Sequence, residues 1–285
     1  MTGPAASADA ALRARKTWRT AEPVHGMIYF VPEAAEAYAR LGVTGRAGYF
    51  ASRAAPMGEV SAEVVVSTFF NFNPALVHEA IPQAWEAATP EALVAARFDA
   101  VDAACRRVLG DHVVGSDEMR RAATLLREAA QEAAQRVEGR PLAAGHAEVA
   151  WPDAPHLVLW HAQSVLREYR GDGHIALLVT HGLSGLESLV THAASGEVPA
   201  AVLKATRAWT DVAWDEAAES LRTRGWLERG DGLRFTEWGA AQRRAIEDGT
   251  DRLAAAPYDV LGDERCTELR ALIRPWSTAF AEVFR

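Results

Sequence analysis

The sequence predicts a mostly α-helical protein in which one helical module occurs twice, with small β-hairpins at the module edges. Three observations carry that expectation. The first is an internal echo. "GVTG" (42–45) precedes "GEVSAEV" (58–64), and "GLSG" (182–185) precedes "GEVPAAV" (196–202), with twelve and ten residues between the paired motifs. Both copies later reach "LGD", ending at Asp111 and at Asp263. Three matches in the same order read as a tandem repeat. The second observation is that helix-start signals fall where the echo needs them. The third is one stretch, "WLERGDGLRFTEWG", that alternates around a Gly-Asp-Gly turn as a two-stranded hairpin does.

Element by element, "PVHGMIYFVPEAAEAY" (23–38) predicts a helix with Met27, Ile28, Tyr29 and Phe30 inward and His25 and Glu33 exposed. "AGYFASR" places Tyr49, Phe50 and Arg53 on a further helix. Asn71 and Asn73 flank Phe72 just before Pro74, a turn with a helix opening at Asn73 or Pro74. Residues 116–139 form a long central helix. Leu157 to Arg170 is a helix packing through Val158, Ala162, Val165 and Tyr169, and Arg170-Gly171-Asp172-Gly173 interrupts it, with Asp172 capping the helical segment after the break. Ser184 and Glu187 have capping-box spacing, so a helix starts at Gly185 and runs to about Ala194. Pro199 opens the next helix, and Thr210 caps Asp211–Arg224, whose core face is Val212, Ala213, Ala217 and Leu221. Gly225 ends that helix, the hairpin comes next, and exit helices cover 240–253 and 266–284.

Residues 156–285, with this order of leading helix, helical core, "RGWLE", hairpin, "FTEWG" and long terminal helix, resemble a winged helix-turn-helix unit of the MarR type. MarR-type proteins are homodimers of one such unit. Two copies in one chain therefore imply a tandem, single-chain pseudo-dimer with small β-wings, divided at 1–115, 116–155 and 156–285. The first part is the more degenerate copy, and the second is the central helix and linker. The whole chain is also similar to a helix-turn-helix family to which the likeness attaches no activity. For the MarR type, the resemblance implies a small ligand between the core and the long helices.

Composition narrows the function. The 285 residues hold 30 Lys and Arg against 38 Asp and Glu, a formal charge of -8, whereas duplex DNA is bound mainly through phosphate neutralisation. The helix that would read DNA carries Asp211, Asp215, Glu216 and Glu219. Its counterpart in the first copy offers His78, Glu79 and Glu86, with Pro82 in the middle. Lys204, Arg207, Arg229 and Arg234 are placed to touch backbone, but neither copy has a base reader. The expectation is a scaffold that has lost DNA readout and binds a small aromatic or acidic molecule, with catalysis open. A ligand-responsive MarR-type regulator is the alternative. Two distant cysteines, Cys105 and Cys266, point to a reduced, cytoplasmic setting. No run approaches the ~20 apolar residues of a membrane span. Self-association of two chains stays open.

Polar residues crowd "HLVLWHAQSVLREYRGDGHIALLVTHGLSG" (156–185). On a helix, His161, Ser164 and Glu168 share one face, because seven residues return to within about 20°. His161 with Glu168 is the best base-and-orienter pair, and Arg170 the best anion clamp. Asp172, His174 and His181 join the candidate ligand-binding set, with Asn71 and Phe72 from the first copy and Arg53 as a further anion contact. Against each stands a plainer role: a core histidine, a capped turn or a surface ion pair. Converging histidines would suit a metal or haem as a third reading, but no metal motif assigns one, and no nucleotide-cofactor motif is present.

Overall fold

A computed structural model of the chain describes residues 7–283. Helix α1 (Ala8–Gly26) starts at Ser7, whose hydroxyl accepts the Ala10 N–H, and passes into a 3-10 turn, Met27–Tyr29. There follow α2 (Pro32–Arg40), α3 (Gly45–Ala54), α4 (Ala62–Phe69), α5 (Pro74–Ala87), α6 (Pro90–Leu109) and the short α7 (Asp111–Val114). The middle of the chain forms α8 (Asp117–Ala134), α9 (Pro141–Glu148) and the long α10 (Pro155–Thr180). The last third forms α11 (Gly185–Ala194), α12 (Ala200–Arg207), α13 (Asp211–Thr223), α14 (Glu237–Leu253), α15 (Ala256–Asp259) and α16 (Gly262–Val283). Ser61, Asn73, Thr89, Ser116, Thr210 and Thr236 each cap a helix through a side-chain oxygen, and Ser184 with Glu187 closes the expected capping box.

The echo in the sequence is also an echo in length. Helices α3 and α11 have 10 residues each, α4 and α12 have 8 each, and α5 and α13 have 14 and 13. Three of the four recurring glycine pairs also share a backbone conformation, with positive φ at Gly42 and Gly182, Gly58 and Gly196, and Gly110 and Gly262, whereas Gly45 has positive φ and Gly185 does not.

The hairpins are smaller than the sequence predicts. After α13 the chain makes a single antiparallel bridge, Leu227 to Phe235, and no strand forms among the described residues. In the first half α5 ends at Ala87 and Thr89 already caps α6, so the chain has no length for a wing. The expected break at residues 170–173 is likewise absent, and α10 runs through it for 26 residues. Tertiary contacts outweigh the local signal. Asp172 caps α9 instead of its own helix, its carboxylate accepting the Ala143 N–H at 2.9 Å. Gly173 admits the Arg140 guanidinium and Leu253 against the helix backbone. Val212, expected inside, is 69% exposed, and Trp214 takes its place in the core beside Ala217, Ala218 and Leu221.

Ion pairs and hydrogen bonds fix how the long helices run. Arg13 meets Asp263, Thr17 meets Arg270 and Thr20 meets Ser277, so α1 and α16 lie parallel. His25 meets Ser164, Glu22 meets Arg167 and Trp18 meets Arg170, so α1 and α10 run antiparallel. Two cores result. The large one joins the first half to α8, α10 and α16. The small one joins the end of α10 to α11–α14, around Trp214, Trp226, Leu221 and Ile246.

Candidate functional site

The space between the two cores is a cleft of about 470 Å³, walled by α1, α3, the α4–α5 turn, α10, α11, α12 and α14. Its aromatic side consists of Trp18, Tyr49, Phe69, Phe70 and Phe72. The turn holding Phe70 is built by close approach. Phe70 adopts a positive φ of 59°, and its carbonyl sits where a side chain on Gly185 would have to be, so only glycine fits at the start of α11. The same turn is tied to the other half, because Trp209 Nε1 donates to the Asn71 carbonyl at 2.9 Å and Asn73 Nδ2 donates to the Ala208 carbonyl at 2.9 Å.

The polar side is cationic although the chain is acidic. Arg15, Arg19, Arg53, Arg167, Arg170, Arg207 and Arg243 line the cleft, with only Glu22, Glu197 and Glu247 as lining carboxylates. Behind them lies Glu168, wholly buried on α10. Arg53 grips it in bidentate fashion at 2.9 and 2.7 Å, and Arg167 adds a third hydrogen bond at 2.8 Å. Burial opposes ionisation of Glu168, but the charges of Arg53 and Arg167 prevail and hold its carboxyl well below the usual range. Arg170 pairs with Asp251 at 2.9 Å and lies over the Trp18 ring.

Arg207 differs from these arginines. Its guanidinium lies over the Phe72 ring, 4.9 Å from the centroid, and donates to Thr206 Oγ1, but among the described residues it has no carboxylate partner. Its Nε is buried without a hydrogen bond, as are Arg170 Nη1, Asn71 Oδ1, Glu22 Oε2 and Trp18 Nε1 around the same cleft. Burial first, and then the like charges of Arg53 and Arg167, lower the proton affinity of Arg207. Among the described residues, several side chains around this one space thus keep a buried polar atom without a hydrogen bond, and such atoms cost free energy.

Of the residues the sequence singles out, Arg53, Asn71, Phe72, Arg170 and His174 line this cleft. His174 Nδ1 is 2.9 Å from Thr250 Oγ1, and burial pushes its pKa down to about 4, so the ring is neutral. The other expectations need correction. His161 and Glu168 do not pair. The His161 ring packs on Trp151 and Phe98, and burial lowers its pKa to about 4, while Glu168 is fully engaged by Arg53 and Arg167. Asp172 serves α9, and its burial pushes the carboxyl up to about 7. His181 ends α10 with Nδ1 on the Leu177 carbonyl, outside the cleft. Among the described residues no three His, Cys, Asp or Glu side chains group to hold a metal.

His25 corrects the expectation of exposure, since it is fully buried. Its ring stacks on Trp160, Nδ1 lies 2.9 Å from Ser164 Oγ and Nε2 lies 3.1 Å from the Tyr29 hydroxyl. Ser164 gives its proton to the Trp160 carbonyl, so Nδ1 donates and Nε2 accepts from Tyr29. Phe30, next to this chain of hydrogen bonds, is exposed instead of inward. Arg207, expected toward a DNA backbone, turns into the cleft, while Lys204 is paired with Asp211. The helix-spacing signal missed Arg15, Trp18, Arg19 and Glu22 on α1 because the antiparallel placement of α1 on α10 is a tertiary fact. The i, i+4 spacing of His25 and Tyr29 was the available hint of the buried histidine.

A family model described as "Helix-turn-helix family" matches residues 14–284, nearly the whole chain. The chain belongs to the helix-turn-helix family. No curated protein and no solved structure matches it. On this helix-turn-helix chain the carboxylates of α13, Asp211, Asp215, Glu216 and Glu219, are all exposed. The arginines at the end of α13 are tied inward, Arg222 to Glu219 and the Gly232 carbonyl, and Arg224 to Glu187 and the Gly182 carbonyl. No helix of the described residues is long and apolar enough to cross a membrane.

Proposed function

We propose that the protein binds a small, anionic, aromatic molecule in the cleft between its halves. The scaffold is read as a tandem winged helix of the MarR type that has given up base readout. The observation that carries the ligand reading is Arg207, a half-buried cation without a carboxylate partner, set over Phe72 and facing other arginines. An oxyanion of the ligand would take up that guanidinium, and its ring would lie among Trp18, Tyr49 and Phe72. Support for the tandem reading comes from the matched helix lengths, the matched glycine conformations, and α1 and α16 pairing from opposite ends of the chain. Titration calorimetry with benzoate and 1-naphthoate, beside the corresponding neutral amides, tests it. The acids should bind and the amides should not, and Arg207→Gln should weaken the acids at least about tenfold, about 1.4 kcal/mol. Equal binding of acids and amides would remove the anion site.

Membership of a helix-turn-helix family favours a second reading, a ligand-responsive regulator. Retention on a duplex-DNA column that falls steeply between low and moderate salt would support it. Flow-through at low salt would leave the binding protein.

A further inference from the structure

We infer that the ligand is amphipathic, with an oxyanion head clamped between Arg19 and Arg207 and an apolar body in a second chamber beside the cleft. This rests on the anion-binding reading above and specifies the ligand class. The second chamber is an open hollow of about 820 Å³ that shares Arg19, Arg167 and Arg207, the Glu22 carboxylate, and the rings of Trp18, Tyr49 and Phe72 with the cleft. The wall it does not share is mainly apolar, with Pro23 and Gly26 from α1, Tyr29 from the 3-10 turn and Phe50 from α3, and its Arg46 donates to the Ala205 carbonyl at 3.0 Å. The cationic cleft and the apolar chamber thus meet at one neck.

Three arginines stand at that neck. Arg167 is committed to Glu22 and Glu168. Among the described residues, Arg19 and Arg207 have no carboxylate within ion-pair distance. They come from opposite halves, Arg19 from α1 and Arg207 from α12. Both guanidinia line the neck, and a carboxylate, phosphate or sulfonate held there would gain charge-assisted hydrogen bonds from the two halves at once. An apolar body attached to that head has the second chamber within reach, where burying each methylene tightens binding by roughly fourfold.

The test is a calorimetric series of butanoate, hexanoate, octanoate and decanoate below their micelle concentrations, with octyl phosphate and octanamide as head-group controls. Affinity should climb about fourfold per methylene and then level off as the chamber fills. Octyl phosphate should bind with octanoate, and octanamide at least tenfold more weakly. Arg19→Gln and Arg207→Gln should each cost about tenfold. Ala205→Phe, on the chamber wall, should flatten the chain-length dependence while leaving benzoate binding intact. Affinity independent of chain length would overturn the amphipathic ligand, and octanamide binding as tightly as octanoate would overturn the clamp. In either case retained benzoate binding leaves the anion site standing. Loss of benzoate along with the whole series would remove both.

Discussion

The two halves of the chain use helices of nearly identical length for opposite ends. In the first half, α3, α4 and α5 are absorbed into the large core, where Phe50, Val65, Phe69, Val77 and Ile81 are buried, and α5 leads straight into α6. In the second half, α11, α12 and α13 gather around a small core of their own, and α13 presents its acidic face to solvent. Local signals such as caps and turn glycines set where helices begin and end in both. What each helix does was decided by what packs on it. The first half supplies one wall of the cleft, and the second half supplies the opposite wall.

The contact that should break this arrangement most severely is the buried carboxylate between the halves. Glu168→Gln leaves Arg53 and Arg167 facing each other in a buried site, and the loss should be about 3–5 kcal/mol. Urea unfolding would show it, and a change within about 1 kcal/mol would mean that the cluster is solvated. Next comes Gly185→Ala, whose added methyl meets the Phe70 carbonyl. It should cost roughly 2–3 kcal/mol and act on the junction between the two halves. Hydrogen exchange should then rise in α11 and in the turn at residues 70–73 before it rises in the large core.

A smaller effect is expected at Asp172, and it depends on pH. Its folded-state carboxyl lies at about 7, above the ~3.9 of an unfolded aspartate. A raised value means that the stabilisation is fully present below the unfolded pKa and is lost as pH rises through 7. Asp172→Asn keeps an acceptor for the Ala143 N–H and removes the charge. It should raise stability by roughly 1–3 kcal/mol at pH 8 and change little at pH 4. A melting curve with the same gain at both pH values would contradict that assignment. The smallest effect belongs to His161→Leu. The ring sits among Trp151 and Phe98 with Nε2 unbonded, so replacement should shift stability by less than about 1.5 kcal/mol and leave ligand affinity unchanged.

Much of the fold was legible because helix ends are local events. Ser184, Glu187, Thr210 and Asn73 announce their caps without help from distant residues. The misreadings arose where a distant partner outweighed the local signal. Gly171 and Gly173 read as a break, yet Arg140 packs against Gly173 and Asp172 holds the start of α9, so the helix continues. The hairpin pattern after α13 was real, but it yields only one bridge. For the site, helical spacing on α10 found Arg170 and His174, which do face the cleft, and also His161 and Asp172, which face elsewhere. The turn at Asn71 and Phe72 was found from its residue types. Arg19 and Arg207 carry no local signature, since what distinguishes them is the lack of a carboxylate partner once α1 and α12 are brought together.

The anion site is tested most directly by the melting temperature of Arg207→Gln with and without 1-naphthoate. An unpaired cation facing like charges adds little to the stability of the free protein but is central to holding an anion. The free variant should therefore melt no lower than the wild type, and the several-degree rise that naphthoate gives the wild type should vanish. A variant that melts lower when free yet keeps the full naphthoate shift would show that Arg207 is a structural residue and that the anion binds elsewhere.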